Sequence, residues 1–201
     1  MADGLQYVPA SICEDSRGAG ARGEENVKAW YFSTAEKKLR YGDDRHIAIG
    51  TTHEVEGKPL CCAHGLHGCE MILDALNYAP GTIIWIVELD GAMDIQDDKV
   101  AATSRTYLHG GIDVLPIILA WSRRVALDVA HLWDIPEIVR RYLETGDQAI
   151  AGAANAFAYA ANASAYAYAN ASANAAARGK YSGWLAEDVY AAIMLAKRGK
   201  K

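Results

Sequence analysis

The pattern of apolar and polar positions changes character about half-way along the chain. Between residues 27 and 110, short apolar runs alternate with turn-forming glycine and aspartate, as strands and turns do. The runs at 28–32, 46–49 and 53–55 predict three short strands. The more continuous run at 82–89 predicts a strand that is buried on both faces.

Apolar positions with helical spacing first occur within this strand-rich region and then fill the chain after Asp113. A short helix is predicted at 69–78, where Pro80 limits its extension. After Asp113 the spacing stays helical, and the segment 114–133 is apolar on most sides, which predicts a central helix. The predicted fold class is therefore α+β: a small mixed N-terminal α/β-sheet domain followed by an all-helical C-terminal part.

Capping residues divide the helical part into shorter helices. Asp134 and Glu137 have the spacing of a capping box and predict a helix start. Gly146 is placed to end that helix, and Asp147 to begin the next one. Ser182 is the predicted start of the final helix.

Alanine dominates the helix predicted at about 147–178. Alanine favours helices and is poor in strands, so a helix is preferred over a silk-like strand. At 100° per residue Tyr159 and Tyr166 share one face, and Tyr168 lies nearly opposite. These tyrosines are candidate binding residues, since tyrosine supplies rigid contact area at interfaces. A low-complexity segment without chemistry is the alternative.

Glycine, serine and charged residues without periodicity fill residues 1–26, which predicts a flexible N-terminal arm. The predicted organisation is thus an arm at 1–26, a small α+β domain at 27–110 and a helical region at 111–201. Whether the helical half also forms a homo-oligomer is left open.

Charge and composition narrow the classes of function. The net charge of −5 argues against general nucleic-acid binding, which needs clustered lysine and arginine. No signal peptide or membrane span is expected, because no basic start precedes an apolar run and the long uncharged segment is mostly alanine with asparagine. Four cysteines, two of them adjacent, do not resemble a secreted disulfide framework. The predicted location is the cytoplasm.

Thiol and imidazole side chains crowd one loop, which contains Cys61, Cys62, His64, His67 and Cys69. These are zinc-type ligands, but no second pair follows at a distance and adjacent cysteines chelate one ion poorly. A zinc-binding module is therefore a minor alternative, and no metal ligands are predicted. A cysteine activated by His64 or His67 is a further alternative, for which no third orienting group is evident.

Three motifs carry a resemblance to a known family. They are Gly65-Leu66-His67, the segment 74–81 (Asp-Ala-Leu-Asn-Tyr-Ala-Pro-Gly) and the segment 87–91 (Val-Glu-Leu-Asp-Gly). Together with the alanine-rich tail, they resemble a family of small uncharacterised phage and prophage proteins over roughly residues 27–178. The resemblance implies an accessory protein in the host cytoplasm that binds a host or phage protein or other macromolecule, with host defence as one target.

The same order of motifs is also similar to the middle of ADP-ribosyltransferase-like folds. That similarity implies an NAD- or nucleotide-binding enzyme in which His67 and Tyr78 line a pocket and Glu88 polarises a ribose hydroxyl. His67, Tyr78 and Glu88 are therefore the candidate catalytic residues under this alternative. Whether the protein is an enzyme, and which cofactor it takes, stays open at this point.

Overall fold

The computed structural model describes residues 26–132, 134–152 and 171–199. The chain divides into two compact units, the first comprising Met1–Val114 with Leu185–Lys201 and the second comprising Leu115–Trp184. The first unit contains an antiparallel sheet, and the second is helical in its described residues. The predicted α+β class is confirmed.

Five antiparallel strands form the sheet: β1 (Val27–Ser33), β2 (Thr52–Glu54), β3 (Leu66–Gly68), β4 (Ile83–Ile95) and β5 (Val100–Asp113). β4 lies between β1 and β5, and both β2 and β3 pair with the other edge of β5. Directly after β3, Cys69 exchanges two backbone hydrogen bonds with Trp30 of β1, at 2.7 and 3.0 Å. β3 and the residue after it therefore connect β5 with β1, the strand on the opposite side of β4.

A long hairpin of β4 and β5 is the centre of this sheet. Residues 83–87 are all buried, as their continuous apolarity predicts. The strand continues beyond 82–89 to Ile95, and the backbone N–H of Gln96 donates to the carbonyl of Lys99 at 2.9 Å to close the turn. The sequence did not predict β5, because its alanine, threonine and glycine content is weak as a strand signal, and pairing with β4 decides its conformation.

The weaker strand predictions divide into two outcomes. The runs at 28–32 and 53–55 correspond to β1 and β2, although β2 ends one residue earlier. The predicted strand at 46–49 is wrong. Only His46 forms an isolated bridge, with Lys38, and the rest of the run is loop.

The predicted helix at 69–78 is present but shorter, as α1 (Ile72–Asn77). Its first predicted residues are not helical, because Cys69 is held in extended pairing with Trp30.

One face of the sheet builds the hydrophobic core of the first unit. Its buried members are Val27, Ala29, Ile47, Ile83, Trp85, Val87, Leu89, Val100, Ala102 and Tyr107. Gly68 lets β3 approach this core closely, since a Cβ at that position would lie 2.8 Å from Ala29 Cβ and 3.3 Å from Leu89 Cδ1. The close packing holds the segment that follows Gly65 against the sheet.

The described helices after the sheet are α2 (Leu115–Asp128), a 3-10 turn (Ala130–Leu132), α3 (Glu137–Thr145) and α4 (Ala171–Arg198). α2 corresponds to the helix predicted at 114–133, but none of its residues is buried, so the prediction that this helix is central is wrong. A small helical unit has little interior, and its side chains are covered only in part. Trp121 of α2, for example, donates through Nε1 to the carbonyl of Tyr181 at 2.9 Å.

Helix boundaries follow some of the predicted caps. Gly146 ends α3 in a left-handed conformation, as predicted, and the Asp147 carboxylate accepts the N–H of Ala149 at 2.9 Å. Asp134 does not cap α3, because Pro136 takes the capping position in an extended conformation with no side-chain hydrogen bond. The final helix begins at Ala171 rather than Ser182, and Ser182 is buried within it.

Two predicted segments fall largely outside the described residues. They are the N-terminal arm at 1–26, of which only residue 26 is described, and most of the alanine-rich helix at 147–178, including Tyr159, Tyr166 and Tyr168. Within the described ranges, no helix has the length and apolarity needed to cross a membrane.

Candidate ligand-binding site

A cavity of about 610 Å³ opens on the first unit. β1, the loop at 39–43, the segment 62–69 and the end of α1 supply most of its wall. Its lining side chains with aromatic or basic chemistry include Tyr31, Arg40, Tyr41, His67, Tyr78, Lys99 and Arg105. The volume lies in the range of clefts that hold small molecules.

Arg105 is the most deeply buried charged group in this wall. The residue is 2% exposed, and its guanidinium lies 3.8 Å from the centroid of the Tyr31 ring. Nε and Nη2 donate to the Tyr107 hydroxyl at 3.0 and 2.6 Å, and Nη1 donates to the His67 carbonyl at 2.6 Å. No carboxylate within the described ranges forms an ion pair with it. Its charge is therefore stabilised only by neutral oxygens and an aromatic face.

Tyr107 and His53 support Arg105 from behind. His53 Nδ1 lies 3.3 Å from the Tyr107 hydroxyl, and its Nε2 lies 3.1 Å from the His46 carbonyl. Because a carbonyl only accepts, Nε2 carries the proton, and Nδ1 accepts from tyrosine. Burial raises the pKa of Tyr107 to about 12, so its hydroxyl stays protonated. The network fixes the orientation of the guanidinium.

His67 forms one side of the cavity in its neutral form. Burial, and then the Arg105 charge, lower the pKa of His67. Nε2 accepts the backbone N–H of Cys62 at 3.2 Å, and the ring also bonds to the backbone of Gly65. These two bonds fit the tautomer with the proton on Nδ1. The imidazole is therefore a positioned neutral group rather than a free base.

Tyr78 and Lys99 form a polar cluster at the opening of the cavity. The Lys99 ammonium donates to the Tyr78 hydroxyl at 2.8 Å and lies 4.4 Å from the centroid of that ring. The Tyr78 hydroxyl donates to the Asp98 carboxylate at 2.5 Å. Hydrogen bonds to the Cys62 thiol and to Tyr78 raise the pKa of Lys99, so the lysine is a fixed cation.

The charge balance of the described lining is positive. Arg40, Lys99 and Arg105 are its cations. Asp43 also lines the cavity, but its carboxylate is bound by Arg45 at 2.7 Å. Lys99 lies 3.8 Å from the Asp98 carboxylate, so its charge is partly balanced. An anionic group placed in the cavity would meet the charges of Arg40 and Arg105, which form no ion pair with a carboxylate in the described ranges.

The predicted catalytic residues do not converge. His67 and Tyr78 both line the cavity, as the sequence analysis expected of a pocket. Glu88 does not. It lies on β4 between Val87 and Leu89, which both point into the core, and it pairs with Lys28 on β1 and Thr106 on β5. The alternation of side chains along a strand places Glu88 on the opposite face of the sheet.

The Cys/His loop is not arranged as a metal site. Among the described residues, no three histidine, cysteine or acidic side chains are placed to hold one ion. The Cys61 thiol donates to the Asp94 carbonyl at 3.2 Å, and the His64 ring bonds to the Glu56 carbonyl at 2.6 Å. Cys61 and Cys69 are buried, whereas Cys62 is exposed at the cavity.

Arg105 and Lys99 line the cavity but were not among the residues predicted from sequence. One signal for Arg105 was present: it stands two residues before Tyr107 in a run of small and β-branched residues, so a strand there would place both on one face. A charged residue in phase with buried positions indicates a buried ion. No comparable signal marks Lys99, which lies in the turn between β4 and β5.

One known protein family matches part of the chain. A family model described as a domain of unknown function (DUF7666) matches residues 34–114, which is less than half of the chain. Searches of curated proteins and of solved structures found no match. The match covers most of the cavity wall but excludes β1. The resemblance to phage and prophage proteins stays a prediction.

Proposed function

We propose that the cavity of the first unit binds an anionic small molecule that carries an aromatic ring, and that nucleotides, including NAD, are its ligand class. The observation that carries this proposal is Arg105, a guanidinium that is 2% exposed, lines the cavity and has no carboxylate partner among the described residues. A buried cation of this kind is stabilised when a ligand supplies the missing negative charge.

The remaining lining fits the other part of such a ligand. Tyr31, Tyr78 and the exposed Tyr41 offer aromatic faces within the same wall. A neutral His67 offers polar atoms without adding charge. Small-molecule sites commonly combine apolar faces with a few fixed polar groups.

Binding is proposed here without a catalytic role for Glu88. The transferase-like alternative needs that carboxylate beside His67 and Tyr78, but Glu88 lies on the opposite face of the sheet. Glu88 therefore becomes a control rather than a site residue.

The test is thermal and urea unfolding in the presence of adenosine, adenosine monophosphate and NAD. A ligand at about ten times its Kd is expected to raise the free energy of unfolding by about 1.4 kcal/mol. Adenosine monophosphate and NAD should stabilise the protein, and adenosine should do so less. Arg105→Met should abolish the difference between charged and uncharged ligands, whereas Glu88→Gln should keep it.

Arg105→Met leaves the Tyr107 hydroxyl and the His67 carbonyl without their Arg105 donors, at an expected cost of about 1–3 kcal/mol. A cooperative urea transition of the variant without ligand is therefore the check that it folds. Lys99→Met provides a second variant that removes a cavity cation nearer the surface. Equal stabilisation of wild type and both variants, or no stabilisation by any of the charged ligands, would exclude the proposal.

A second candidate function is the binding of a host or phage macromolecule by an accessory protein. Its support is apolar surface beside the cavity: Tyr41 is 93% exposed, Leu60 55% and Tyr78 47%. Clustered exposed aromatic and aliphatic residues often mark interaction sites. A partner captured from host lysate by wild type and lost by the double variant Tyr41→Ala, Leu60→Ala supports this function; capture that is indifferent to the variant counts against it.

A further inference from the structure

The outer edge of β1 changes its pairing where it meets the cavity. Trp30 exchanges two backbone hydrogen bonds with Cys69, the residue that follows β3. Main-chain groups point alternately to the two sides of a strand, so Phe32 turns its N–H and C=O to the same side as Trp30. In the register set by Trp30 and Cys69, the residue that faces Phe32 is His67. A regular antiparallel sheet would repeat the pair of hydrogen bonds at this position.

This second pair is not formed among the described residues. No bridge and no backbone hydrogen bond joins Phe32 to His67. The His67 carbonyl instead accepts Nη1 of Arg105 at 2.6 Å. The Arg105 side chain therefore takes the place that the Phe32 N–H would have as the donor to that carbonyl.

The main chain of Phe32 is a buried donor and acceptor at the cavity wall. The register of β1 with β4 is regular along its whole length, so Phe32 turns away from β4 just as Trp30 does. Neither its N–H nor its C=O has a hydrogen-bond partner in the part of the chain that the structure describes. Phe32 is 2% exposed and lines the cavity. Because nearly all buried main-chain groups are paired, these two groups indicate a place where a ligand bonds.

A second, independent observation comes from the side chain of Trp30. Trp30 is 1% exposed and lines the same cavity. Its indole Nε1–H has no acceptor among the described residues. Buried tryptophan N–H groups usually find a partner, as that of Trp85 does at the Ser33 hydroxyl, 2.9 Å away. Two neighbouring positions of β1 therefore carry unpaired polar groups at this wall.

The polarity of these groups selects the kind of ligand. Phe32 offers a donor and an acceptor side by side, and Trp30 adds a donor. A carboxylate or a phosphate only accepts, so it would leave the Phe32 carbonyl without a donor. An amino group next to a ring nitrogen supplies both a donor and an acceptor on one edge, as adenine does.

An extended peptide fits this position poorly. Strand addition needs a row of open main-chain groups along an edge. Here Trp30 is already paired with Cys69, and β1 ends at Ser33, so Phe32 is a single open position between them. The burial of Phe32 favours a small ring that enters through the cavity.

We propose that the aromatic ring of the ligand is an amino-substituted nitrogen heterocycle of the adenine type, whose amino group and neighbouring ring nitrogen pair with the main chain of Phe32. The indole N–H of Trp30 is a further donor to the same ring. The proposal rests on the nucleotide class named in the proposed function and adds which part of the ligand determines specificity. Phe32 and Trp30 are thus specificity-determining residues that no side-chain motif in the sequence marks.

The first test observes the Phe32 amide directly by nuclear magnetic resonance. The chain contains only two phenylalanines, Phe32 and Phe157, so labelling with nitrogen-15 phenylalanine gives two amide signals. Phe157→Tyr removes one of them and identifies the signal of Phe32. When free adenine is titrated into the full-length protein, we expect the Phe32 amide proton to move downfield, because its N–H gains an acceptor.

The second test compares ligands and variants in the same titration. Purine keeps the ring nitrogens of adenine but lacks the amino group, and we expect it to bind about threefold to tenfold more weakly, the effect of one hydrogen bond. Trp30→Phe should weaken adenine binding by a similar factor. Trp85→Phe is the matched control: Trp85 is equally buried, but its N–H is already bonded to Ser33, so the affinity for adenine should be kept.

Three results would overturn the proposal. They are the absence of adenine binding at millimolar concentration, adenine binding that leaves the Phe32 signal unchanged, and equal affinities for adenine and purine. An affinity that falls as much in Trp85→Phe as in Trp30→Phe would remove the indole N–H from the site.

The outcome is separable from that of the nucleotide test. If adenosine monophosphate and NAD stabilise the protein but adenine and purine bind equally, the base site at Phe32 is wrong and the anion-binding function stands. If free adenine shifts the Phe32 signal while the charged nucleotides stabilise no more than adenosine, the anionic part of the proposed function is wrong and the base site stands.

Discussion

Tyr107 shows how one buried hydroxyl can hold a functional side chain. It accepts two hydrogen bonds from Arg105 and donates to His53, so its oxygen joins a cation to a neutral ring. Tyr107→Phe removes that oxygen while keeping the ring in the core. Because buried donors of Arg105 then lack a partner, we expect the free energy of unfolding to fall by about 1–3 kcal/mol in urea denaturation.

Tyr78→Phe is the matched control for this substitution. The Tyr78 hydroxyl also contacts a cation and a third group, but the residue is 47% exposed and water can replace the lost bonds. The expected loss of stability is below about 0.5 kcal/mol. Similar losses in both variants would show that the Tyr107 network is no more stabilising than an exposed one.

Histidine burial predicts a pH dependence of stability. Burial lowers the pKa of His53, with further lowering by Arg45 and Arg105, and burial likewise lowers the pKa of His67 and His109. Between the folded pKa and the model value of 6.5, the unfolded chain binds more protons than the folded chain. The stabilisation is therefore complete above about pH 6.5 and is lost as pH falls through the folded pKa values.

The measurement is the free energy of unfolding against pH from about 5 to about 7. We expect a positive slope below about pH 6.5 in wild type and a smaller slope in His53→Gln, which cannot titrate there. The slope is the useful quantity, since the variant also changes hydrogen bonds to Tyr107 and His46. An unchanged slope would mean that His53 does not contribute.

Sequence reasoning located part of the site at this scale. His67 and Tyr78 were predicted as pocket residues from the similarity to transferase-like folds, and both line the cavity. Glu88 could not be placed, since a strand read as buried on both faces gives no indication of which face each residue takes. Arg105 depends on the pairing of β5 with β4 and β3, which is a contact between distant segments.

At the scale of elements, the β4–β5 hairpin depends on an irregularity opposite Ile84 and Trp85. The register shifts there, and Gly110 takes a φ of +116°. A Cβ at Gly110 would lie 2.3 Å from the Ile84 carbonyl oxygen and 2.8 Å from Trp85 Cα, both of which are backbone atoms. Gly110→Ala combines this overlap with a disfavoured conformation, so we expect a loss of about 2–5 kcal/mol in unfolding free energy.

Gly179→Ala is the control for the glycine substitution. Gly179 lies in helix α4, and a Cβ there would have no neighbour within 4 Å. Alanine in an open helical position should stabilise the protein by about 0.5–1 kcal/mol. If both alanine variants behave alike in urea unfolding, the hairpin irregularity is not a constraint on the fold.

Prediction of the elements from sequence succeeded where local apolarity was high. β4 has the strongest run and was found, as were the weaker runs of β1 and β2, whereas β3 and β5 were not. β3 is only three residues long and is held by backbone pairing with β5 and by the close approach at Gly68. The run at 46–49 has the apolar residues typical of a strand but forms only one bridge, between His46 and Lys38, so its composition predicted a strand that does not form.

At the scale of the whole molecule, the predicted boundary near residue 110 falls inside β5. The first compact unit extends to Val114 and also includes the chain from Leu185. Leu185, Val189 and Ile193 are almost fully buried, at a spacing that places them on one face of α4. The spacing of these residues along the sequence is helical, but it gives no indication of the unit to which the face belongs, because membership depends on contacts across more than 70 residues.

This organisation gives a prediction about the segment matched by the family model. A fragment of residues 34–114 lacks β1, which pairs along β4, and also lacks the segment from Leu185 onward. It would expose the β4 edge and part of the apolar core, so we expect no cooperative thermal unfolding transition.

In the full chain, Leu185→Ala should lower the free energy of unfolding by about 2–5 kcal/mol, because the side chain is fully buried. Leu195→Ala is the control: the residue is 66% exposed, and the expected loss is below about 0.5 kcal/mol. A sharp transition for the fragment, or equal effects of the two leucine variants, would show that the matched segment folds without β1 and the end of α4.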